Sequence, residues 1–208
     1  YLGSSLISMY SKCGLLAKAR EVLEELPIRD TFSWNALIAG YASHGQGNEA
    51  LNCYDQMLKE GLSPDQVTFV CVLKACGIVG SIEKGKEIHD EVASSGLIEK
   101  DIVLGTALVD MYAKCGLLEK AREVFDEFPV RNIISWNALI TGYAQQGQYH
   151  EALNSVDQMR SEGLSPDGVT FICLLKACGS TGAIDKGEQI HEQILRRGLL
   201  ENNVVLGG

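Results

Sequence analysis

The chain repeats itself, and this repetition limits the folds it can adopt more than any other feature. The segment SWNALI at 33–38 returns at 135–140, and GLSPD at 61–65 returns at 163–167. Both pairs share an offset of 102 residues. An offset that stays constant along a chain indicates internal duplication, which is typical of solenoids and other repeat arrays.

The duplicated unit itself divides into three weaker repeats with lengths of 35, 36 and 31 residues. The units, with a short first one that lacks its opening residue and a last one that only begins, are 1–30, 31–65, 66–101, 102–132, 133–167, 168–203 and 204–208. The chain is therefore predicted to be one continuous array of repeats.

Each unit has the pattern of a helical hairpin. In the first complete unit, an apolar stripe that includes Tyr41 is interrupted at Gly45, and a second stripe that includes Tyr54 follows. Gly61 stands where a helix end favours a positive φ, and Pro64 prevents the helix from continuing. One hairpin cannot bury both stripes, but stacked neighbours can, so the sequence predicts an all-α solenoid of helix-turn-helix repeats.

Composition limits the classes of function that the chain can have. The apolar fraction of 46% suffices for a continuous core, and no run approaches the roughly 18 apolar residues of a membrane span. The seven cysteines follow no disulfide-scaffold spacing, which favours a reducing compartment. The net charge of −9 argues against a nucleic-acid binder that relies mainly on phosphate contacts.

Several segments resemble a known family. The segments NALIAGY at 35–41, LKAC at 73–76 and MYAKCG at 111–116 resemble hallmark segments of pentatricopeptide repeats. The alternation of unit lengths is similar to that of the P, L and S motifs in plant organelle RNA-editing factors. The resemblance covers essentially the whole chain and implies a right-handed superhelical α-solenoid.

The resemblance also implies a function: each motif reads one base of single-stranded RNA through its fifth and its last residue. The two P motifs present Asn35 with Asp65 and Asn137 with Asp167, a pair that resembles the uracil reader. An amide offers both a donor and an acceptor to a base edge, and a neighbouring carboxylate can orient it.

The other motifs carry different pairs. Thr106 with Asn132 resembles an adenine reader, and Ser4 with Asp30 resembles a guanine reader. The L motifs present aliphatic fifth residues, in the pairs Val70 with Asp101 and Ile172 with Asn203. Because an aliphatic side chain cannot hydrogen-bond a base edge, these two motifs are expected to accept any base, and the implied site is G-U-N-A-U-N.

Second residues of the motifs are expected to sandwich the bases, and two lysines at the end of S-motif first helices are expected to meet phosphates. The sandwiching residues are Phe32, Val67, Val103, Ile134 and Val169, and the lysines are Lys12 and Lys114. Trp34 and Trp136 are expected to pack in the core instead.

Structural roles are open for the same polar residues. Asn35 and Asn137 lie near a predicted helix start, and Asp65 and Asp167 follow a proline and precede a helix, so each can act in helix capping. Capping and base reading can coexist. Capping alone gives no reason why the fifth and last residues change together from one motif type to the next.

No catalytic or metal site is predicted. His89 and Glu91 match half of a zinc deaminase signature, but the duplicate places Gln193 after His191 where the glutamate is needed. No C-x-x-C pair occurs, and cofactors are expected to be absent.

Two functions from different classes follow. The first is an RNA-binding module from a C-to-U editing factor of mitochondria or chloroplasts, with an accessory protein docking on the L motifs. The alternative is a helical-repeat scaffold that holds a peptide in its groove, although uniform units of about 34 residues are typical of such scaffolds. Apolar end surfaces are further expected to allow end-to-end stacking of copies.

Overall fold

The computed structural model describes residues 2–94, 96 and 101–200. Within those residues, twelve α-helices follow one another without a strand. Their bounds are α1 Leu2–Lys12, α2 Leu16–Glu25, α3 Thr31–Ser43, α4 Gly47–Lys59, α5 Gln66–Val79, α6 Ile82–Ser94, α7 Ile102–Lys114, α8 Leu118–Asp126, α9 Ile133–Gln145, α10 Tyr149–Ser161, α11 Gly168–Thr181 and α12 Ile184–Arg196.

Short polar side chains begin the odd-numbered helices. Asp30, Asp65, Asn132 and Asp167 are the N-caps of α3, α5, α9 and α11, and each accepts a hydrogen bond from the backbone N–H three residues later. The Ser or Thr at that later position returns a bond to the N-cap backbone, which completes a capping box. Asp101 caps α7 by accepting from two N–H groups of its first turn.

Glycines in left-handed conformation end helices, as the pattern predicted for Gly61. The helix α4 ends at Lys59, and Gly61 follows with a φ of +78° while its N–H donates to the carbonyl of Leu58 at 2.9 Å. A side chain at this backbone conformation would be strained, so glycine is the favoured residue.

The helices form two layers. Each odd-numbered helix packs against the next odd-numbered one, from α1 through to α11. The even-numbered helices α2 to α10 each pack against their two neighbours in sequence, and α12 packs against α11. Successive even-numbered helices in the described part of the chain make no close backbone approach. The odd-numbered helices therefore form the tighter, inner wall, and the predicted all-α solenoid is confirmed.

The core lies between the two layers and continues from one hairpin to the next. Trp34 and Trp136 are buried in it, as expected, and the ring of Trp136 meets Phe125 edge-on with 4.6 Å between centroids. Apolar side chains also remain exposed at the two ends of the described array, for example Leu2 on α1 and Ile184 on α12. No helix among the described residues is long and apolar enough to cross a membrane.

Candidate nucleic-acid interface

The fifth and last residues of the first P motif are in direct contact. The Nδ2 of Asn35 donates to Oδ1 of Asp65 at 2.9 Å, and the hydroxyl of Thr68 donates to Oδ1 of Asn35 at 2.7 Å. Asp65 is at the same time the N-cap of α5, because its Oδ1 accepts the backbone N–H of Thr68 at 2.9 Å. Capping and contact with the proposed base reader therefore coexist in one carboxylate.

The second P motif repeats this arrangement. Asn137 donates to Asp167 Oδ1 at 3.0 Å, and Thr170 donates to Asn137 Oδ1 at 2.6 Å. Asn137 is 9% exposed and Asn35 is 6% exposed, so both amides are almost fully buried within the inner wall. We name these two clusters the Asn–Asp–Thr units.

The hydrogen bonds also affect the carboxylates. Burial raises the pKa of Asp65 and Asp167, but backbone N–H donors of the first helical turn and the Asn amide outweigh it, and the net pKa of each is below the ordinary value. Both side chains are therefore anionic at neutral pH and accept hydrogen bonds without donating them.

The S motifs are built differently. The hydroxyl of Thr106 donates to the carbonyl of Ile102 in its own helix at 2.6 Å, whereas Asn132 caps α9 by accepting from Ser135 N–H at 2.9 Å. In the first unit, Asp30 caps α3, and hydrogen bonds from Ser33 are the largest reason that its pKa is lowered.

The L motifs present aliphatic side chains at the inner wall. Val70 is half-buried, and Ile172 is exposed. Asp101 accepts the N–H of Val103 at 2.8 Å as a helix cap. Asn203 and the unit beginning at 204 lie outside the described residues.

Exposed apolar side chains mark the start of each odd-numbered helix from α3 onwards. All five proposed sandwiching residues are between 52% and 69% exposed, although side chains of this kind are normally buried. They are Phe32, Val67, Val103, Ile134 and Val169.

A groove collects many of the predicted residues. Side chains of α5, α7, α9 and the start of α11 line a cavity of about 380 Å³ that contains Val103, Thr106, Ile134, Asn137 and Val169. A second cavity near the N-terminus, of about 620 Å³, is lined by Ser4, Lys12 and Phe32 among others. Each of the two cavities is thus lined by predicted residues from neighbouring motifs.

The two proposed phosphate-binding lysines have different surroundings. Lys12 lines the N-terminal cavity and ends α1. The Nζ of Lys114 binds Asp110 Oδ2 at 2.6 Å, one helical turn earlier in α7. Lys114 is therefore already paired with a carboxylate that itself lines the central groove.

Sequence patterns did not reveal three residues of the candidate interface. Thr68 and Thr170 connect the amides to the caps, and Lys74 of α5 lines the central groove. The spacing Asp-x-x-Thr was visible in the chain and indicates a capping box, but it gave no sign that the hydroxyl also reaches a residue of the preceding odd-numbered helix.

Acidic side chains are placed mainly on the outer layer. Glu24 of α2 is paired with Arg20, and Glu162, which follows α10, is paired with Arg131 at 2.7 Å. Among the described residues, no three His, Cys, Asp or Glu side chains come together as a metal site would require.

Comparison with known proteins identifies the family. Profiles described as PPR repeat family match 29–77 and 131–180. Profiles described as PPR repeat match 4–30, 67–97, 106–133 and 169–199. Together these segments include most of the chain.

Two relatives from Arabidopsis thaliana illustrate the similarity. Pentatricopeptide repeat-containing protein At4g25270, chloroplastic, is 41% identical over 200 residues, which cover 95% of this chain and 37% of the relative. Pentatricopeptide repeat-containing protein At1g06140, mitochondrial, is 39% identical over 196 residues, which cover 94% and 35%. The chain spans about a quarter to two fifths of the length of the curated relatives it matches.

Solved structures show the same fold. The crystal structure of the pentatricopeptide repeat protein PPR10 from maize matches with a TM-score of 0.74 at 23% identity, over 94% of this chain and 29% of that one. PPR10 in complex with an 18-nt psaJ RNA element matches with a TM-score of 0.50 at 18% identity, over 95% and 40%. The chain belongs to the PPR repeat family and has the helical repeat solenoid of that family.

Proposed function

We propose that the chain is a sequence-specific single-stranded RNA-binding module in which each motif reads one base. One observation carries the proposal: the two Asn–Asp–Thr units repeat the same hydrogen bonds 102 residues apart, each on the inner wall beside exposed apolar side chains. Helix capping needs only the Asp, so capping does not explain why a buried Asn amide contacts it.

The chemistry of these units suits uracil. An Asn side chain has two N–H groups and two carbonyl lone pairs, and Asp and Thr use one of each. One donor and one acceptor therefore remain for a ligand. Uracil offers the complementary set, with N3–H as a donor and O2 and O4 as acceptors.

The exposed apolar side chains supply the second part of the binding energy. A base inserted between Ile134 and Val169 would cover both, as would one between Phe32 and Val67. Stacking of a base on a protein surface contributes about 1–3 kcal/mol at best. Contacts to base faces and edges depend less on salt than contacts to phosphates, which makes RNA binding compatible with a net charge of −9.

The predicted target is G-U-N-A-U-N, read 5′ to 3′ along the chain. The P, L and S alternation supports membership of the editing-factor subclass, and we propose that the chain is the recognition part of an organellar C-to-U RNA-editing factor. Relatives named mitochondrial and chloroplastic support an organellar location. Binding of RNA by the structurally similar PPR10 supports RNA as the ligand. The aliphatic L motifs are the proposed docking surface for an accessory protein.

The test is fluorescence anisotropy with a labelled RNA that contains G-U-N-A-U-N. The same RNA is then changed from U to A at the second or at the fifth position. Two double variants serve as controls for one another: Asn137→Thr with Asp167→Asn, and Asn35→Thr with Asp65→Asn. Each installs the S-motif pair, and Asn is as good an N-cap as Asp, so α5 and α11 are retained.

The expected result is specific to position. The unchanged chain prefers U at both positions, the variant at Asn137 and Asp167 shifts to A at the fifth position, and the variant at Asn35 and Asp65 shifts to A at the second. Equal binding of all RNAs by all three proteins would contradict base reading. It would favour the alternative of a scaffold that holds a peptide in the groove.

A further inference from the structure

Each Asn–Asp–Thr unit contains a third residue that neither the fifth nor the last position of a motif accounts for. Thr68 and Thr170 are fully buried, and each is the third residue of the L motif that follows the P motif. Each hydroxyl lies within hydrogen-bond distance of both the amide oxygen of the Asn and the carboxylate of the Asp.

The single hydroxyl proton belongs on the bond to the amide. In the second unit, Thr170 Oγ1 lies 2.6 Å from Asn137 Oδ1 and 3.0 Å from Asp167 Oδ1. The carboxylate oxygen already accepts the N–H of Thr170 and the amide of Asn137. The amide oxygen has the shorter contact, and the Thr oxygen in turn accepts the backbone N–H of Asp167 at 3.1 Å.

We propose that Thr68 and Thr170 are positioning residues for base reading. Asp binds the amide nitrogen and Thr binds the amide oxygen, so the two bonds together fix which edge of the Asn faces the base. The Asp bond alone favours the nitrogen on its side, but it leaves the amide free to rotate by smaller angles about its terminal torsion, which is soft. The inference rests on the proposed function, because it concerns the same two sites.

The other junctions of the chain support this role. The motifs that follow the S motifs have Ser33 and Ser135 as their third residues. The hydroxyl of Ser33 lies 2.6 Å from Oδ1 and 2.9 Å from the carbonyl of Asp30, and that of Ser135 donates at 2.9 Å to the carbonyl of Asn132, so both bond to the N-cap. The motif after the L motif that contains Val70 has the buried, aliphatic Leu104 as its third residue. Among the described junctions, the third residue of a motif therefore varies with the fifth residue of the motif before it. It is Thr where that fifth residue is Asn, Ser where it is Ser or Thr, and Leu where it is Val.

An L motif thus contributes to reading although its own fifth residue is aliphatic. Its third residue orients the amide of the P motif before it. Each proposed base-reading site at a P motif then consists of three residues from two successive motifs.

The test compares Thr170→Val, which keeps the shape and removes the hydroxyl, with Thr170→Ser, which keeps the hydroxyl. Anisotropy is measured on RNAs with U or C at the second or fifth position of G-U-N-A-U-N. In Thr170→Val we expect the preference for U over C to fall about five- to tenfold at the fifth position, as the loss of one hydrogen bond implies. The preference at the second position stays, and Thr170→Ser restores the fifth.

The outcomes separate the two proposals. An unchanged fifth-position preference in Thr170→Val overturns the positioning role, and so does an equal loss at both positions, which would indicate a general loss of structure. Retained preference at the second position shows that the array of the variant is folded. If the unchanged chain itself shows no preference for U, the proposed function is contradicted, and the positioning role falls with it.

Discussion

Asn137 Nδ2 donates to Asp167 Oδ1 at 3.0 Å, and this bond connects the middle of α9 to the N-cap of α11. Asp167 therefore has two partners of different origin, the first turn of its own helix and the amide of the preceding inner helix. The same relationship joins Asn35 to Asp65. A residue that ends one repeat thus begins the next helix and also holds the proposed base reader.

The lowered pKa of Asp167 predicts an acid-sensitive part of the stability. Burial raises this pKa, but the hydrogen bonds from Thr170 and Asn137 lower it by a larger amount. The pKa in the folded state therefore lies below that in the unfolded state. The stabilisation is complete above the ordinary Asp range and is lost as the pH falls from about 4 through the folded pKa.

Thermal unfolding between pH 3 and pH 7 measures this dependence. Asp167→Asn keeps an N-cap but cannot titrate, so its melting temperature should fall less steeply below about pH 4 than that of the unchanged chain. Glu188→Gln, at an exposed position of α12, is the control. Identical acid profiles for Asp167→Asn and the unchanged chain would refute the contribution of this carboxylate.

Glu162 is predicted to be important for the contact of the end of α10 with the first turn of α9 and the segment before it. Its Oε2 accepts from Nε1 of the buried Trp136 at 3.0 Å, and its Oε1 accepts from Arg131 at 2.7 Å. Glu162→Ala leaves the indole N–H without this acceptor, which costs about 1–3 kcal/mol of unfolding free energy. Chemical denaturation followed by tryptophan fluorescence gives the value.

The matched control for that variant is Glu188→Ala, an exposed glutamate of the outer layer. It should change the unfolding free energy by less than about 0.5 kcal/mol. Equal effects of the two variants would show that the hydrogen bonds of Glu162 to Trp136 and Arg131 add nothing to the unfolding free energy beyond what an exposed glutamate contributes.

Gly142 is predicted to set the spacing of the inner wall. A Cβ added there would lie 2.4 Å from Cβ of Ala113 on α7, so Gly142→Ala must push α7 and α9 apart. Overpacking of this kind costs about 1–3 kcal/mol. Gly168→Ala, in the open first turn of α11 and without a positive φ, should instead stabilise by about 0.4–1 kcal/mol.

Denaturant midpoints of both alanine variants test this contrast, because each adds the same methyl group to a helix of the inner wall. Destabilisation by Gly142→Ala and stabilisation by Gly168→Ala would confirm close packing of α7 on α9. A stabilising Gly142→Ala would show that the helices separate without cost.

Asp110 is predicted to limit the affinity for RNA by neutralising Lys114. The two are joined at 2.6 Å in α7, and Asp110 lines the groove. Asp110→Asn frees the ammonium group for a phosphate, so RNA should bind more tightly. The slope of log affinity against log salt should steepen by about 0.7 for one added phosphate contact.

Asp55→Asn provides the same change of charge on α4 of the outer layer, where Asp55 pairs with Lys84 at 3.7 Å. This control should alter neither affinity nor the salt slope appreciably. Equal gains in both variants would show that net charge, and not the release of Lys114, governs binding.

Several features could be predicted from the sequence because they depend on local chemistry repeated along the chain. The positive φ at Gly61 followed from its place after an apolar stripe, and the caps at Asp65 and Asp167 followed from the Pro before them. Burial of Trp34 and Trp136 followed from their place beside the stripe. Partners across repeats, such as Arg131 with Glu162, gave no such signal.

The sequence alone determined that the chain is a stack of helical hairpins, because a hairpin with two apolar stripes must bury them against a neighbour of the same kind. The tertiary structure decided which polar atoms meet across that stack. The hydroxyl of Thr170 reaches Asn137, and the amide of Asn137 reaches Asp167, because of how each side chain lies once α9 and α11 pack. Hydrogen bonds require distances near 3 Å, and such distances are set by packing between helices, which no periodicity in one chain records.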